Sequence, residues 1–99
     1  MDGDDIRIVD RPEANRYEAL LGEDVAGFVD YRVVGGHRVL LHTEVLPAYE
    51  GRGIGSLLAR HVLAASREAG ERVSIKCPFL STYIRRHPDE APAAASPHA

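Results

Sequence analysis

Residues 45–58 read Val45-Leu46-Pro47-Ala48-Tyr49-Glu50-Gly51-Arg52-Gly53-Ile54-Gly55-Ser56-Leu57-Leu58, and the period of the chain changes inside this stretch. Upstream of it the apolar residues come in short strand-like runs. Downstream, Ile54, Leu57, Leu58, His61, Val62, Ala65 and Ala69 recur at spacings of three and four, the signature of one helical face. Pro47 ends the preceding strand because it has no N–H to give the ladder. Gly51, Gly53 and Gly55 then let the backbone turn and leave N–H groups unshielded where a helix begins.

Working back towards the N-terminus, strand signals fill the first half of the chain. Ile6-Arg7-Ile8-Val9 alternates, and Asp10 to Ala14 turns around Pro12. A second strand is predicted over Arg16 to Leu21, with Gly22-Glu23-Asp24 as a tight hairpin. Val25 to Val34 forms a third strand, in which Gly27 signals a bulge or a close backbone approach. Gly35-Gly36 makes another two-residue hairpin into a fourth strand, His37 to Val45.

Working forward, Gly70 is placed to cap the long helix. Arg72 to Cys77 reads as a fifth strand, and Phe79 to Arg86 as a short last helix ending at His87-Pro88. The order β-β-β-β-α-β-α implies an α/β fold with a mixed sheet, since strand, helix and strand in succession favour a parallel crossover. The expected domain spans residues 6–90. Residues 91–99, rich in Ala, Pro and Ser, read as a disordered tail.

Bulk properties narrow the function. The 99 residues favour one domain with a modest core. A net charge of −3 lacks the basic excess that grips nucleic-acid backbones. The single cysteine, Cys77, rules out an intrachain disulfide and a multi-cysteine zinc site, so no metal is expected. No apolar run approaches the roughly 20 residues that cross a bilayer, and the acidic Met1–Asp5 segment is unlike a signal peptide. A cytoplasmic protein without membrane or nucleic-acid partners is the expectation.

The glycine loop is the chemical centre of the sequence. Free N–H groups at a helix N-terminus, aided by the helix dipole, bind anions and suit a diphosphate. Arg52 and Arg86 are available to add charge. A Walker loop needs Gly-Lys-Ser/Thr, which is missing. The dinucleotide pattern G-x-G-x-x-G needs glycine where Ser56 or Leu58 stands. A plain glycine turn opening an ordinary helix is the alternative.

The stretch from Val45 to Leu58 resembles motif A of the GCN5-related N-acetyltransferase superfamily, a strand, a proline and then Q/R-x-x-G-x-G/A entering a helix. Glu50 stands where that pattern has Gln or Arg. Gly27-Phe28-Val29-Asp30-Tyr31-Arg32, His42-Thr43-Glu44-Val45, Cys77-Pro78-Phe79 and Tyr83-Ile84-Arg85-Arg86-His87-Pro88 are similar to the small YjdJ-type acetyltransferase-like family, a reduced form of the superfamily. This resemblance implies acetyl-CoA, or CoA, as cosubstrate and an amine acceptor, either a small molecule or a protein. Gly51, Arg52, Gly53, Ile54, Gly55 and Ser56 would hold the diphosphate. The backbone of Glu44, Val45 and Leu46 would meet the pantetheine arm and the oxyanion.

Several side chains then become catalytic candidates. His42 and Glu44 leave the same face of a strand, as a general base or as a solvated pair. Cys77, at the carboxyl edge of the fifth strand, is either an acetyl-accepting thiol, activated by His42 or a helix N-terminus, or a small core residue. Tyr83 resembles the superfamily tyrosine proposed to protonate the CoA thiolate, or is a core aromatic. Arg85, Arg86 and His87 form a basic patch for the 3′-phosphate end of CoA, or a solvated helix end. His61 is expected at the core edge. A non-catalytic module holding CoA or an acyl-CoA is the competing function, and a free sheet edge would allow a monomer or a homodimer.

Overall fold

The computed structural model describes residues 5–92 together with the backbone of Ala95–Ser96. Four antiparallel strands come first: β1 (Ile6–Arg11), β2 (Arg16–Leu21), β3 (Asp24–Val34) and β4 (His37–Val45). Helix α1 (Ile54–Ala69) crosses back to β5 (Arg72–Ile75), which lies parallel to β4. Helix α2 (Pro78–Arg86) follows. A two-residue strand β6 (Ala95–Ser96) runs parallel to β5, so the sheet order is β1-β2-β3-β4-β5-β6. The order expected from the sequence is therefore the observed one, with β6 added. Of the tail expected over residues 91–99, residues 93–94 and 97–99 lie outside the described residues.

Local chemistry explains the boundaries. Gly35 and Gly36, at φ +57° and +77°, adopt the left-handed conformations of the β3–β4 hairpin. Gly70, at φ +67°, caps α1 by donating to the Ser66 and Arg67 carbonyls. The connection from β1 to β2 is a single turn over Pro12–Ala14, closed by Asn15 at φ +56°. β5 is shorter than expected. Cys77 is the N-cap of α2, and Pro78 occupies the first helical turn, where its missing N–H costs nothing.

One face of the sheet carries both helices and a single core. Tyr17, Ala19, Val29, Tyr31 and Leu40 meet Leu58, Val62 and Leu63 of α1 and Leu80 of α2. The buried stripe of α1 is rotated from the one read in the sequence. It follows Ile54, Leu58, Val62 and Ser66 with Ala59 and Leu63 beside them, while Leu57 and Ala65 are partly covered and His61 and Ala69 are exposed. The small Ala59 and Ser66 let the backbone approach the sheet, which a count of large apolar residues overlooks. His61 lies outside the core, its ring edge-on to Tyr17 at 6.4 Å.

Two bulges shape the sheet. Ala26 is the unpaired residue opposite the Ala19/Leu20 step. Next to it, a Cβ on Gly27 would lie 2.8 Å from the Glu44 carbonyl oxygen and within 3.4 Å of Leu58 and Ile54. Gly27 thus serves both expected roles, flanking a bulge and admitting α1 closely. The second bulge leaves Leu41 unpaired, because Asp30 pairs with His42 and Tyr31 with Leu40. The opposite sheet face carries ions in place of helices: Arg11 bonds Glu18, and Arg16 pairs with Glu18 and Asp30 while lying 3.7 Å over Phe28.

Candidate functional site

The glycine loop opens α1 as an uncapped helix. Gly53 is its N-cap in the left-handed conformation, and no side chain caps the first turn. Gly51 shares that conformation at φ +85°. The first intrahelical bond runs from the Leu57 N–H to the Gly53 carbonyl at 3.1 Å. The amides of Ile54, Gly55 and Ser56 precede it and have no partner within the helix. They border a cavity of about 310 Å³ lined by Val45, Glu50, Gly51, Gly53 to Ser56 and Phe79. Such a donor set, at the positive end of a 16-residue helix, suits a diphosphate. Arg52 is not among the lining residues, and its guanidinium lies 5.6 Å from the centre of the Tyr49 ring.

Beside the cavity, β4 and β5 part. β5 pairs with β4 only from His37 to Leu40, extended by the Lys76 N–H donating to the Leu40 carbonyl at 2.9 Å. The chain then turns into α2, so β4 from Leu41 to Val45 has no β5 strand beside it. Leu46 donates its N–H to the Ala26 carbonyl at 2.9 Å, towards β3. By strand alternation, Val45 and Thr43 turn their peptide groups to the open edge, whereas Glu44 and Leu46 turn theirs to β3. Of the three backbone positions expected at the pantetheine arm, Val45 has the free groups and also lines the cavity.

Cys77 faces this gap from the helix side. It is 2% exposed, and its thiol donates to Thr43 Oγ1 at 3.3 Å. Since Thr43 faces the helices, His42 and Glu44 leave the other side of the sheet. There the His42 ring approaches Phe28 at 6.2 Å, and Nε2 lies 3.2 Å from Glu44 Oε1, with both side chains about half exposed. The structure brings His42 and Glu44 together but separates both from Cys77 by the thickness of the sheet. Of the two activators considered for the thiol, the α2 N-terminus is adjacent, with Cys77 as its N-cap.

Tyr83 is buried between α2 and the turn that follows. Its hydroxyl donates to Glu90 Oε1 at 2.7 Å, and its ring stacks on His87 at 4.3 Å. Burial raises the pKa of this phenol, the Glu90 hydrogen bond raises it further, and Arg60 opposes both. Arg86 is exposed in the last turn of α2, and Arg85 bonds Thr82 at 3.1 Å. Two residues that the sequence reading left without a role adjoin the site. Thr43 holds the thiol, and Phe79 walls the cavity. Both stand inside the quoted motifs, and strand alternation from His42 was a signal for Thr43.

A sequence profile described as GCN5-related N-acetyl-transferase matches residues 16–93, which cover β2 through α2 and the segment after it. The chain belongs to the GCN5-related N-acetyltransferase family. Acyl transfer is the general chemistry of that family, and the mixed sheet with two helices is a reduced form of its fold. A comparison with curated proteins finds no match. No described helix is long and apolar enough to cross a membrane.

Proposed function

We propose that the protein is an acetyltransferase that takes its acyl group from acetyl-CoA and passes it to an amine. One observation carries this reading. The unpartnered amides that begin α1 and the free edge of β4 at Val45 border the same cavity, and Cys77 closes the gap between β4 and β5. A diphosphate held at Gly53 to Ser56 is thereby within the same cavity as donors suited to a thioester carbonyl.

In this reading the residues divide the work. The α1 amides and Arg52 hold the diphosphate. The Val45 N–H donates to the carbonyl oxygen as negative charge develops there. In direct transfer the amine nitrogen bonds the carbonyl carbon, the carbon–sulfur bond breaks, and the amine proton leaves with the thiolate. Through Cys77, its sulfur first bonds the carbonyl carbon while CoA departs with the thiol proton, and the amine then releases Cys77. Thr43 Oγ1 accepts the hydrogen bond of the thiol and orients it, while the proton itself passes to the departing CoA sulfur. His42 and Glu44, on the opposite side, suit the direct route as base for an amine arriving from the open sheet face.

Two observations favour a second reading, a CoA-binding module without efficient turnover. The Cys77 thiol is buried, and the Tyr83 hydroxyl is already committed to Glu90. The first test is thermal unfolding with acetyl-CoA, CoA and ATP. Ligand at about 100 times its dissociation constant adds roughly 2.7 kcal/mol, a rise of about ten degrees for this size. Shifts with both CoA forms and little with ATP support the site, and absence of any shift at millimolar ligand rejects both readings. Turnover with polyamines and peptides then separates enzyme from module. Intact mass of wild type and Cys77→Ala after exposure to acetyl-CoA separates the two chemical routes.

A further inference from the structure

Among the described residues the large apolar side chains left exposed are Val33, Val34 and Phe79. The valines sit at the β3–β4 hairpin. Phe79 instead stands in the first turn of α2 with 41% of its surface exposed, on the wall of the cavity. Its ring stands in a cavity that also presents the backbone amides of α1, and an apolar wall beside a few polar groups is the make-up of a ligand pocket.

The ring is also held in place. It packs against α1, where a Cβ on Gly55 would lie 3.0 Å from its Cζ and 3.5 to 3.6 Å from its Cε atoms. The third glycine of the loop therefore has a use apart from the anion. Its missing side chain lets Phe79 close over the first turn of α1. Of the other apolar lining residues, Ile54 is 1% exposed and turned into the core, which leaves Phe79 and Val45 as apolar walls. Phe79 is two residues beyond Cys77, and it shares the lining of the cavity with Val45 and the first residues of α1.

We propose that Phe79 is the side chain against which the pantetheine arm packs, and that it makes the cavity selective for CoA thioesters over other diphosphates. The inference rests on the acetyl-CoA reading above. A ligand anchored by its diphosphate at α1 and reaching Val45 or Cys77 with its thioester must pass the ring. The arm in between, with its geminal methyl groups, suits an apolar wall and is the part of CoA that spans from the diphosphate to the thioester, whereas the adenine lies on the far side of the diphosphate. The nucleotide half alone makes no use of it.

The test compares acetyl-CoA with adenosine 3′-phosphate 5′-diphosphate, the nucleotide half of CoA, by calorimetric titration. Phe79→Ala should weaken acetyl-CoA about tenfold, equal to about 1.4 kcal/mol, and leave the nucleotide half unchanged. Phe79→Leu, which keeps an apolar wall, should retain most of the affinity. In the wild-type protein with CoA bound, nuclear Overhauser contacts should join the Phe79 ring to the geminal methyls, a readout that needs no variant. Equal weakening of both ligands, no weakening of either, or no such contacts in a bound complex overturns the role of Phe79 alone. Failure of the wild type to bind acetyl-CoA overturns the acetyl-CoA reading, and this inference with it.

Discussion

Replacing Gly27 with alanine tests the packing that positions α1, and so the whole cavity. The added Cβ would lie 2.8 Å from the Glu44 carbonyl oxygen, 3.3 Å from Leu58 Cδ1 and 3.4 Å from Ile54 Cγ2. The first neighbour decides the sign. It is backbone, fixed by the Phe28–Glu44 pairing of β3 and β4, and it cannot rotate away. Leu58 is fully buried and Ile54 nearly so, which leaves α1 little room to retreat. Overpacking of this kind costs about 1–3 kcal/mol. Alanine restricts the unfolded chain and returns about 0.4–1 kcal/mol, so the net loss should be about 1–2 kcal/mol. At about 4–8 °C per kcal/mol for a domain this size, the melting temperature should fall by about 4–16 °C. Urea unfolding should show a lower midpoint with an unchanged slope. Because Ile54 is the first residue of α1, acetyl-CoA binding should weaken in the same variant. A Gly27→Ala protein within about 0.5 kcal/mol of wild type would refute the argument that Gly27 sets the distance between helix and sheet.

Three further outcomes follow from other neighbours. Gly55→Ala should cost less than Gly27→Ala, because its closest neighbour is the far end of the exposed Phe79 ring. That cost should largely vanish in a Phe79→Ala background, and additive losses in a double-mutant cycle would reject the coupling. Glu50 lines the cavity next to the amides proposed to hold a diphosphate. Glu50→Gln should tighten acetyl-CoA about two- to fivefold, the scale of one charge near a helix N-terminus, and the gain should shrink as salt is raised. Burial pushes the Tyr17 phenol up to about 12, with Arg38 opposing and Asp10 adding. A raised tyrosine pKa means that the folded state keeps a proton the unfolded chain releases. The stabilisation is then complete below pH 10 and is lost as pH rises towards 12, by at most about 2.7 kcal/mol. Below pH 10 the curves for wild type and Tyr17→Phe should run parallel, and between pH 10 and about 12 wild type should lose stability relative to Tyr17→Phe, whereas curves that stay parallel throughout would reject the assignment.

Much of the fold was legible because its punctuation is local. Pro12, Gly22, Gly35-Gly36, Pro47 and Gly70 act through their own φ angles or missing N–H, so the limits of β2, β4 and α1 were readable from residue type alone. The glycine turn that opens α1 was legible for the same reason, since positive φ at Gly51 and Gly53 and the free amides of a helix end are properties of a few consecutive residues. What failed was orientation. The stripe on α1 was read from Ile54, Leu57, Leu58, His61, Val62, Ala65 and Ala69. Ile54, Leu58 and Val62 are buried as read, but the helix packs also through Ala59, Leu63 and Ser66 and leaves His61 and Ala69 exposed. The deciding contact is with Gly27, 27 positions before the start of α1, and no periodicity within the helix encodes it.

The chain by itself therefore determined the order of elements, the loop that opens α1 and the membership of a family. These depend on short-range chemistry and on motifs that survive in one dimension. The tertiary structure alone decided which face of the sheet carries the helices, and so which candidates meet them. The period of two in β4 turns Thr43 towards Cys77 and sends His42 and Glu44 to the opposite side, although all three are adjacent in sequence. It also decided that Gly55 makes room for Phe79, that Tyr83 is held by Glu90, and that β4 loses its β5 neighbour beyond Leu40. Each of these is a contact between distant segments, set by how the helices settle on the sheet, and a site built from such contacts exists only after the chain has folded.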